Sequence, residues 1–152
     1  MSNERTPARP ADFTITLEHT PCLGTCPTYV VTLHADGRVD WTGAEHVAAI
    51  GVRHARVSPD RVAQLVELAE RARFFERDED GRLPRPANPC HNGTCDFPEI
   101  VICTDISRAV IVINRDGKPH RVTNEHCQAS PLDELEREID EVAGTARWVG
   151  SR

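Results

Sequence analysis

The segment Tyr29–Trp41 reads YVVTLHADGRVDW, and it predicts a β-hairpin. Its first part, Tyr29–Leu33, is rich in residues that favour strands, and its last part, Arg38–Trp41, alternates polar and apolar side chains. Between them stands Asp36-Gly37, a dipeptide that suits the positive φ angles of a tight hairpin turn. We therefore expect two antiparallel strands in this segment.

Other strand-like segments surround this hairpin along the chain. Phe13–Glu18 alternates apolar and polar residues, the pattern of a half-buried strand, and Gly51–Val57 is a further extended segment. Glu99–Cys103 and Ala109–Ile113 are dense in β-branched residues, as expected of strands in the core of a sheet. Asp116-Gly117 predicts a second hairpin turn.

Two helices are predicted from their capping signals and apolar periodicity. Ser58-Pro59 places a hydroxyl cap and a proline at a helix start, and apolar residues at steps of three and four continue to about Phe74. Ser130-Pro131 opens a second such helix, which is predicted to end near Trp148. Because the strands outnumber two one-faced helices, we expect an α+β fold with two layers, a mostly antiparallel sheet with both amphipathic helices on one face.

The two halves of the chain share one layout. Asp36-Gly37 corresponds to Asp116-Gly117, and Glu45-His46 corresponds to Glu125-His126 at the same offset. Each half then ends in a helix that opens with Ser-Pro. The repetition is what an internal duplication of a strand-hairpin-helix unit would leave.

Length and composition fit one soluble domain, since the chain has 152 residues, of which 39% are hydrophobic and 28% charged. We expect a flexible tail over residues 1–11 and a single domain over residues 12–149. Within this domain, the halves 12–75 and 99–149 are joined by the cysteine-containing loop 76–98.

Charge and hydropathy exclude several classes of partner. The net charge is −6 and no basic block occurs, so a nucleic-acid partner is not expected. No apolar run reaches the roughly 18 residues of a membrane span, so we expect no membrane contact. The start, Met1–Pro10, has no signal core, which favours the cytoplasm, or an exported protein if a leader has been removed.

Six cysteines carry the most specific chemistry in the sequence. Two pairs stand in loops, and in each pair the second cysteine follows Gly-Thr. In a reducing cytosol such pairs more often indicate metal or redox chemistry than disulfides, and four thiolates satisfy the tetrahedral preference of zinc. The sequence therefore predicts a zinc-like site with ligands Cys22, Cys26, Cys90 and Cys95, for which His91, His126 and Cys127 are the candidate substitutes.

The other states of these cysteines remain open at this stage. Disulfides within or between the two loops compete directly with the metal site. A redox-active thiol requires a lowered pKa, and neither loop leads directly into a helix that would lower it. Unlinked cysteines that are buried as small apolar residues are the last alternative.

The opening loop carries a family resemblance. The run Cys22–Tyr29, CLGTCPTY, followed by Asp36-Gly37, Trp41 and Gly43, resembles the opening signature of a bacterial domain family of unknown function. The resemblance continues to Trp148 and thus covers nearly the whole chain. It implies no reaction, ligand or catalytic residue, because the family is defined by sequence alone. The second cysteine pair lies outside the signature.

No catalytic motif occurs in the sequence: glycine-serine elbows, zinc-protease helices, phosphate loops and dinucleotide loops are all absent. We therefore expect a small non-enzymatic binding module whose cysteine site holds a zinc-like ion or disulfides. A thiol-dependent redox or nucleophilic enzyme is the first alternative. A protein-interaction domain with purely structural cysteines is the second.

Overall fold

The computed structural model describes residues 12–84, 90–95, 107–126 and 129–150 of the chain. The strands are β1 (Phe13–His19), β2 (Thr28–His34), β3 (Arg38–Glu45), β4 (Gly51–Arg56), β5 (Cys90–His91), β6 (Thr94–Cys95), β7 (Arg108–Arg115) and β8 (Lys118–Glu125). The helices are α1 (Pro59–Arg71), α2 (Pro131–Ala143) and the single turn α3 (Ala146–Val149), and a 3-10 turn spans Phe74–Glu76. Within the described residues, no helix has the length and apolar character that a membrane span requires.

Six of the strands form one antiparallel sheet in the order β4-β3-β2-β1-β7-β8. Both predicted hairpins are present, β2–β3 around Asp36-Gly37 and β7–β8 around Asp116-Gly117. The predicted strand Glu99–Cys103 lies outside the described residues. The α+β class and the mostly antiparallel sheet are thus confirmed.

The core lies between one face of the sheet and the two long helices. Alternate residues of the central strands are fully buried, as period-2 patterning requires. Helix α2 contributes the facing apolar stripe, and burial of each such side chain stabilises the fold by about 1.5–3 kcal/mol. The fully buried large side chains of this core include Ile15, Leu17, Val31, Leu33, Trp41, Ile111, Leu135 and Ile139.

The second helix ends earlier than the sequence predicts. α2 stops at Ala143 because Gly144 adopts a left-handed conformation, φ 71°, and its N–H bonds to the carbonyl of Asp140. The chain then turns into α3, which buries Trp148 against the core. The apolar periodicity continues across this break, which explains why a single helix to Trp148 was expected.

Part of the predicted loop over residues 76–98 forms a short β-hairpin. β5 and β6 form a two-residue hairpin whose turn uses Asn92 and Gly93, both with positive φ. The hairpin places Cys90 directly opposite Cys95.

Candidate functional site

The two predicted cysteine pairs form two disulfides. Cys22 is bonded to Cys26 in the loop between β1 and β2, and their Cα atoms are 5.8 Å apart. Cys90 is bonded to Cys95 across the β5–β6 hairpin. This arrangement corresponds to the disulfide alternative of the sequence analysis.

A disulfide sulfur is not a thiolate, and zinc binds thiolates. In this state the four cysteines supply no metal ligand, so the four-cysteine site stays a prediction for the reduced chain. Among the proposed substitutes, His91 is exposed and lies opposite Thr94 in the hairpin. Cys127 lies outside the described residues, whereas His126 belongs to a separate polar cluster.

In one row of inward-facing positions at the end of the sheet, three of the four side chains are polar. Tyr29 pairs with His19, His19 with Ala109, and Ala109 with Asn124, so the row crosses four neighbouring strands. These residues continue the same alternation that buries Leu17. The face that is apolar in the middle of the sheet is therefore polar at this end.

Helix α2 places three carboxylates above this row. Asp133, Glu136 and Asp140 are spaced three and four residues apart and thus lie on one side of the helix. The helix start is fixed by a capping box, in which the Ser130 hydroxyl accepts a hydrogen bond from the Leu132 N–H and Asp133 accepts one from the Ser130 N–H. The first carboxylate is thus held by the helix cap itself.

We call the facing side chains of sheet and helix the histidine–carboxylate cluster; it comprises His19, His126, Asp133, Glu136 and Asp140. In its first half, His126 Nε2 lies 2.6 Å from Glu136 Oε2, and Nδ1 of the same ring lies 2.8 Å from Ser107 Oγ. The buried Asn124 amide donates to Asp133 Oδ1 at 2.9 Å and to Glu136 Oε2 at 3.0 Å. This amide ties the two carboxylates together.

The second half of the cluster is centred on His19 and Asp140. His19 Nε2 is 3.2 Å from Asp140 Oδ2 and 3.6 Å from Glu136 Oε1. Asp140 Oδ1 accepts hydrogen bonds from the Tyr29 hydroxyl at 2.7 Å and from the Thr145 hydroxyl at 2.8 Å. Glu136 therefore joins the two halves, with one oxygen directed to each histidine.

The excess of carboxylates in this cluster favours the binding of a cation. Glu136 is only 8% exposed, and burial of a carboxylate is costly unless it is paired. Three carboxylates face two histidines, so the cluster is negative even when both imidazoles are protonated. Burial, reinforced by the Asp140 carboxylate, raises the pKa of Tyr29 far above its usual value, so Tyr29 stays a neutral donor.

Three members of the cluster lie close enough together to share one metal ion. One ligand atom each from His126, Asp133 and Glu136 lies within 4.8 Å of the other two. Imidazole nitrogen with carboxylate oxygen is a ligand set that zinc and related ions accept. His126, one of the predicted substitute ligands, thus lies among carboxylates rather than cysteines.

A different histidine–carboxylate contact lies on the opposite face of the sheet. Asp40 accepts hydrogen bonds from His34 Nε2 at 2.7 Å and from His54 Nδ1 at 2.8 Å. These two bonds lower the pKa of the Asp40 carboxyl. The side chain of His54 is 70% exposed, so this contact is a surface feature of three neighbouring strands.

Most of the histidine–carboxylate cluster is not predicted from the sequence. No spacing rule marks His19, and the sequence suggests His126 only as a substitute ligand for the cysteine site. A signal was present, because His19 extends the inward-facing series of β1 by one step and Asp133, Glu136 and Asp140 share a helix side. Only the sheet order shows that these two groups face each other.

Comparison with known proteins identifies a family but no characterised relative. No curated protein matches the chain. The family model described as Domain of unknown function (DUF6438) matches residues 13–143, which includes both disulfides and the whole histidine–carboxylate cluster. The chain therefore belongs to the DUF6438 family of domains of unknown function.

Proposed function

We propose that this domain is a small non-enzymatic binding module of an oxidising compartment, which binds a cationic ligand at the histidine–carboxylate cluster. Its described cysteines close two loops as disulfides and take no part in the binding chemistry. The single observation that carries the proposal is the buried carboxylate of Glu136, set among more carboxylates than histidines.

The position of the cluster supports a binding role. It lies where β1 ends and β2 begins, next to the loop that the Cys22–Cys26 disulfide closes. A closed loop has fewer accessible conformations, and a site beside it is better preorganised. The disulfide thus supports the site without contributing a ligand.

The same two bonds support the proposed oxidising compartment. Disulfides persist in exported and extracellular proteins and are rare in a reducing cytosol. Thiol counting under denaturing, non-reducing conditions tests this point. Since four of the six cysteines form the two disulfides, we expect at most two free thiols per chain. Six free thiols in protein from its native compartment would contradict the proposal.

A panel of cations tests the binding function. The melting temperature of the unreduced protein is measured with Zn²⁺, Mn²⁺, Ca²⁺ and the polyamine spermidine, for the wild type and for Glu136→Gln. A ligand at about 100 times its Kd stabilises the native state by about 2.7 kcal/mol, which is a shift of several degrees. We expect at least one cation to raise the wild-type value and to leave the variant unchanged. If every cation acts equally on both proteins, the proposed site is wrong.

A specific contact favours a second candidate function, thiol–disulfide exchange at Cys22–Cys26. The Gly24 N–H donates to Cys22 Sγ at 3.3 Å, and such a donor would stabilise a thiolate after reduction. The loop is exposed, with Leu23 84% accessible at its tip. A reduction potential above about −230 mV would support exchange, whereas a value below about −300 mV would assign this disulfide to a structural role.

A further inference from the structure

Building on the proposed function, we infer that the cation is one zinc-like divalent metal ion, bound by His126 Nε2 and by one carboxylate oxygen each of Asp133 and Glu136. The three ligand atoms already lie within 4.8 Å of one another. Ligands at about 2.0–2.2 Å from a tetrahedral ion are about 3.4 Å apart, so shifts of about 1 Å complete the site. Three protein ligands leave a fourth position for water.

The orientation of the His126 ring suits a metal ligand. A histidine that binds a metal through one ring nitrogen usually donates the other N–H to a neighbouring acceptor. Here Nδ1 lies 2.8 Å from Ser107 Oγ, while Nε2 points at Glu136 Oε2. Without a metal, a proton on Nε2 makes the hydrogen bond to Glu136; a bound ion would replace this proton, and Nδ1–H would donate to Ser107 Oγ.

The two carboxylates are held in the same way by groups outside the ligand set. Asn124, which is 3% exposed, donates to both of them through one amide nitrogen. The remaining oxygen of Asp133 accepts the Ser130 N–H of the helix cap at 3.0 Å. Each proposed ligand thus has a fixed outer partner, which is the usual construction of a metal site.

Charge and ligand type identify the class of ion. Asp133 and Glu136 together neutralise a divalent cation when His126 is neutral, and the cation would balance the charge of the buried Glu136 carboxylate. An imidazole ligand favours zinc and its neighbours in the first transition row over Mg²⁺ and Ca²⁺, which prefer oxygen ligands. His19 lies 3.6 Å from the other oxygen of Glu136 and is outside the ligand set.

Calorimetric titration with ZnCl₂ tests this inference on the full, untagged and unreduced chain after chelator treatment. Residual thiols are alkylated first, so that no cysteine thiolate competes for zinc. We expect one zinc per chain with a Kd of about 1 µM or tighter. His126→Ala and Glu136→Gln should each weaken binding by at least about 100-fold, whereas the exposed His91→Ala should bind as the wild type does.

A milder variant distinguishes loss of the metal site from loss of the fold. Ser107→Ala keeps all three ligands and removes only the partner of His126 Nδ1, so we expect zinc affinity to fall by about 10- to 100-fold with an unchanged circular dichroism spectrum. Stoichiometric binding that survives His126→Ala would overturn the inference, as would the absence of zinc binding by the folded wild type. If zinc does not bind while another cation raises the melting temperature of the wild type but not of Glu136→Gln, the proposed cation-binding function is supported and only the assignment of the ion as zinc is wrong.

Discussion

The hydroxyl of Tyr29 donates a 2.7 Å hydrogen bond to Asp140 Oδ1, and this bond fastens helix α2 to the second strand of the sheet. The ring of Tyr29 is also stacked against Trp41, with centroids 4.4 Å apart. One side chain therefore connects the aromatic part of the core to the histidine–carboxylate cluster. Because the phenol is buried, its ionisation is coupled to folding.

We predict that Tyr29 does not ionise in the native protein at pH 11. An exposed tyrosine has a pKa of about 10, and burial together with the Asp140 carboxylate raises the pKa of Tyr29 above this value. Since the unfolded chain releases this proton near pH 10 and the folded chain does not, stability should fall as the pH rises above about 10. Tyr29 is the only tyrosine, so phenolate absorbance reports on it alone.

The control for this titration is the same protein in denaturant, which should titrate near pH 10. Circular dichroism at each pH shows whether the chain is still folded. A phenolate signal that appears near pH 10 while the native spectrum persists would contradict the prediction.

The pKa of the Asp40 carboxyl should lie below the usual value for aspartate. Hydrogen bonds from His34 and His54 lower the pKa of its carboxyl from the reference value of 3.8. The resulting stability is present above about pH 4 and is lost as the pH falls through the lower, folded pKa. Because Asp40 is 45% exposed, solvent screening limits the contribution to less than about 1 kcal/mol.

Carbon-detected NMR of the Asp40 carboxyl measures this pKa directly. Replacing both partners, in His34→Gln/His54→Gln, should return the midpoint towards the reference value. An Asp40 midpoint at or above 3.8 in the wild-type protein would show that the two imidazoles do not hold the carboxylate.

The elements of the sheet could be predicted because their signals are local. Asp36-Gly37 and Asp116-Gly117 specify hairpins within a few residues, and the helix starts at Ser58 and Ser130 depend on adjacent prolines. The break of the second helix at Gly144 was missed, because the apolar periodicity continues through it to Trp148.

The histidine–carboxylate cluster could not be predicted, because it is formed by distant parts of the chain. His19 and Asp140 come together only when β1 lies between β2 and β7 and α2 crosses this part of the sheet. Sequence spacing marks the cysteines instead, since cysteine pairs in short loops are locally visible. The prediction of ligands therefore focused on thiols, although His126 was included as a substitute.

The glycine that ends helix α2 should be sensitive to substitution. Gly144 has φ 71°, and a residue with a Cβ is disfavoured in this conformation, so Gly144→Ala should destabilise the fold by about 1 kcal/mol. The effect should appear in the free energy of unfolding by urea. Gly24→Ala is the matched control, because Gly24 lacks positive φ and a Cβ there would meet only Cys22 Sγ at 3.9 Å. Equal losses in both variants would refute this explanation of the helix end.

Removal of the Cys22–Cys26 disulfide should lower the free energy of unfolding without changing the zinc stoichiometry. The double variant Cys22→Ser/Cys26→Ser opens a short loop, and the chain-entropy model gives a loss of about 2 kcal/mol in unfolding free energy. Zinc stoichiometry should stay at one per chain, because the proposed ligands His126, Asp133 and Glu136 are unchanged. If the wild type binds zinc only after reduction and the folded double variant then binds none, cysteine thiolates are the ligands, and the four-cysteine site predicted from the sequence is the correct one.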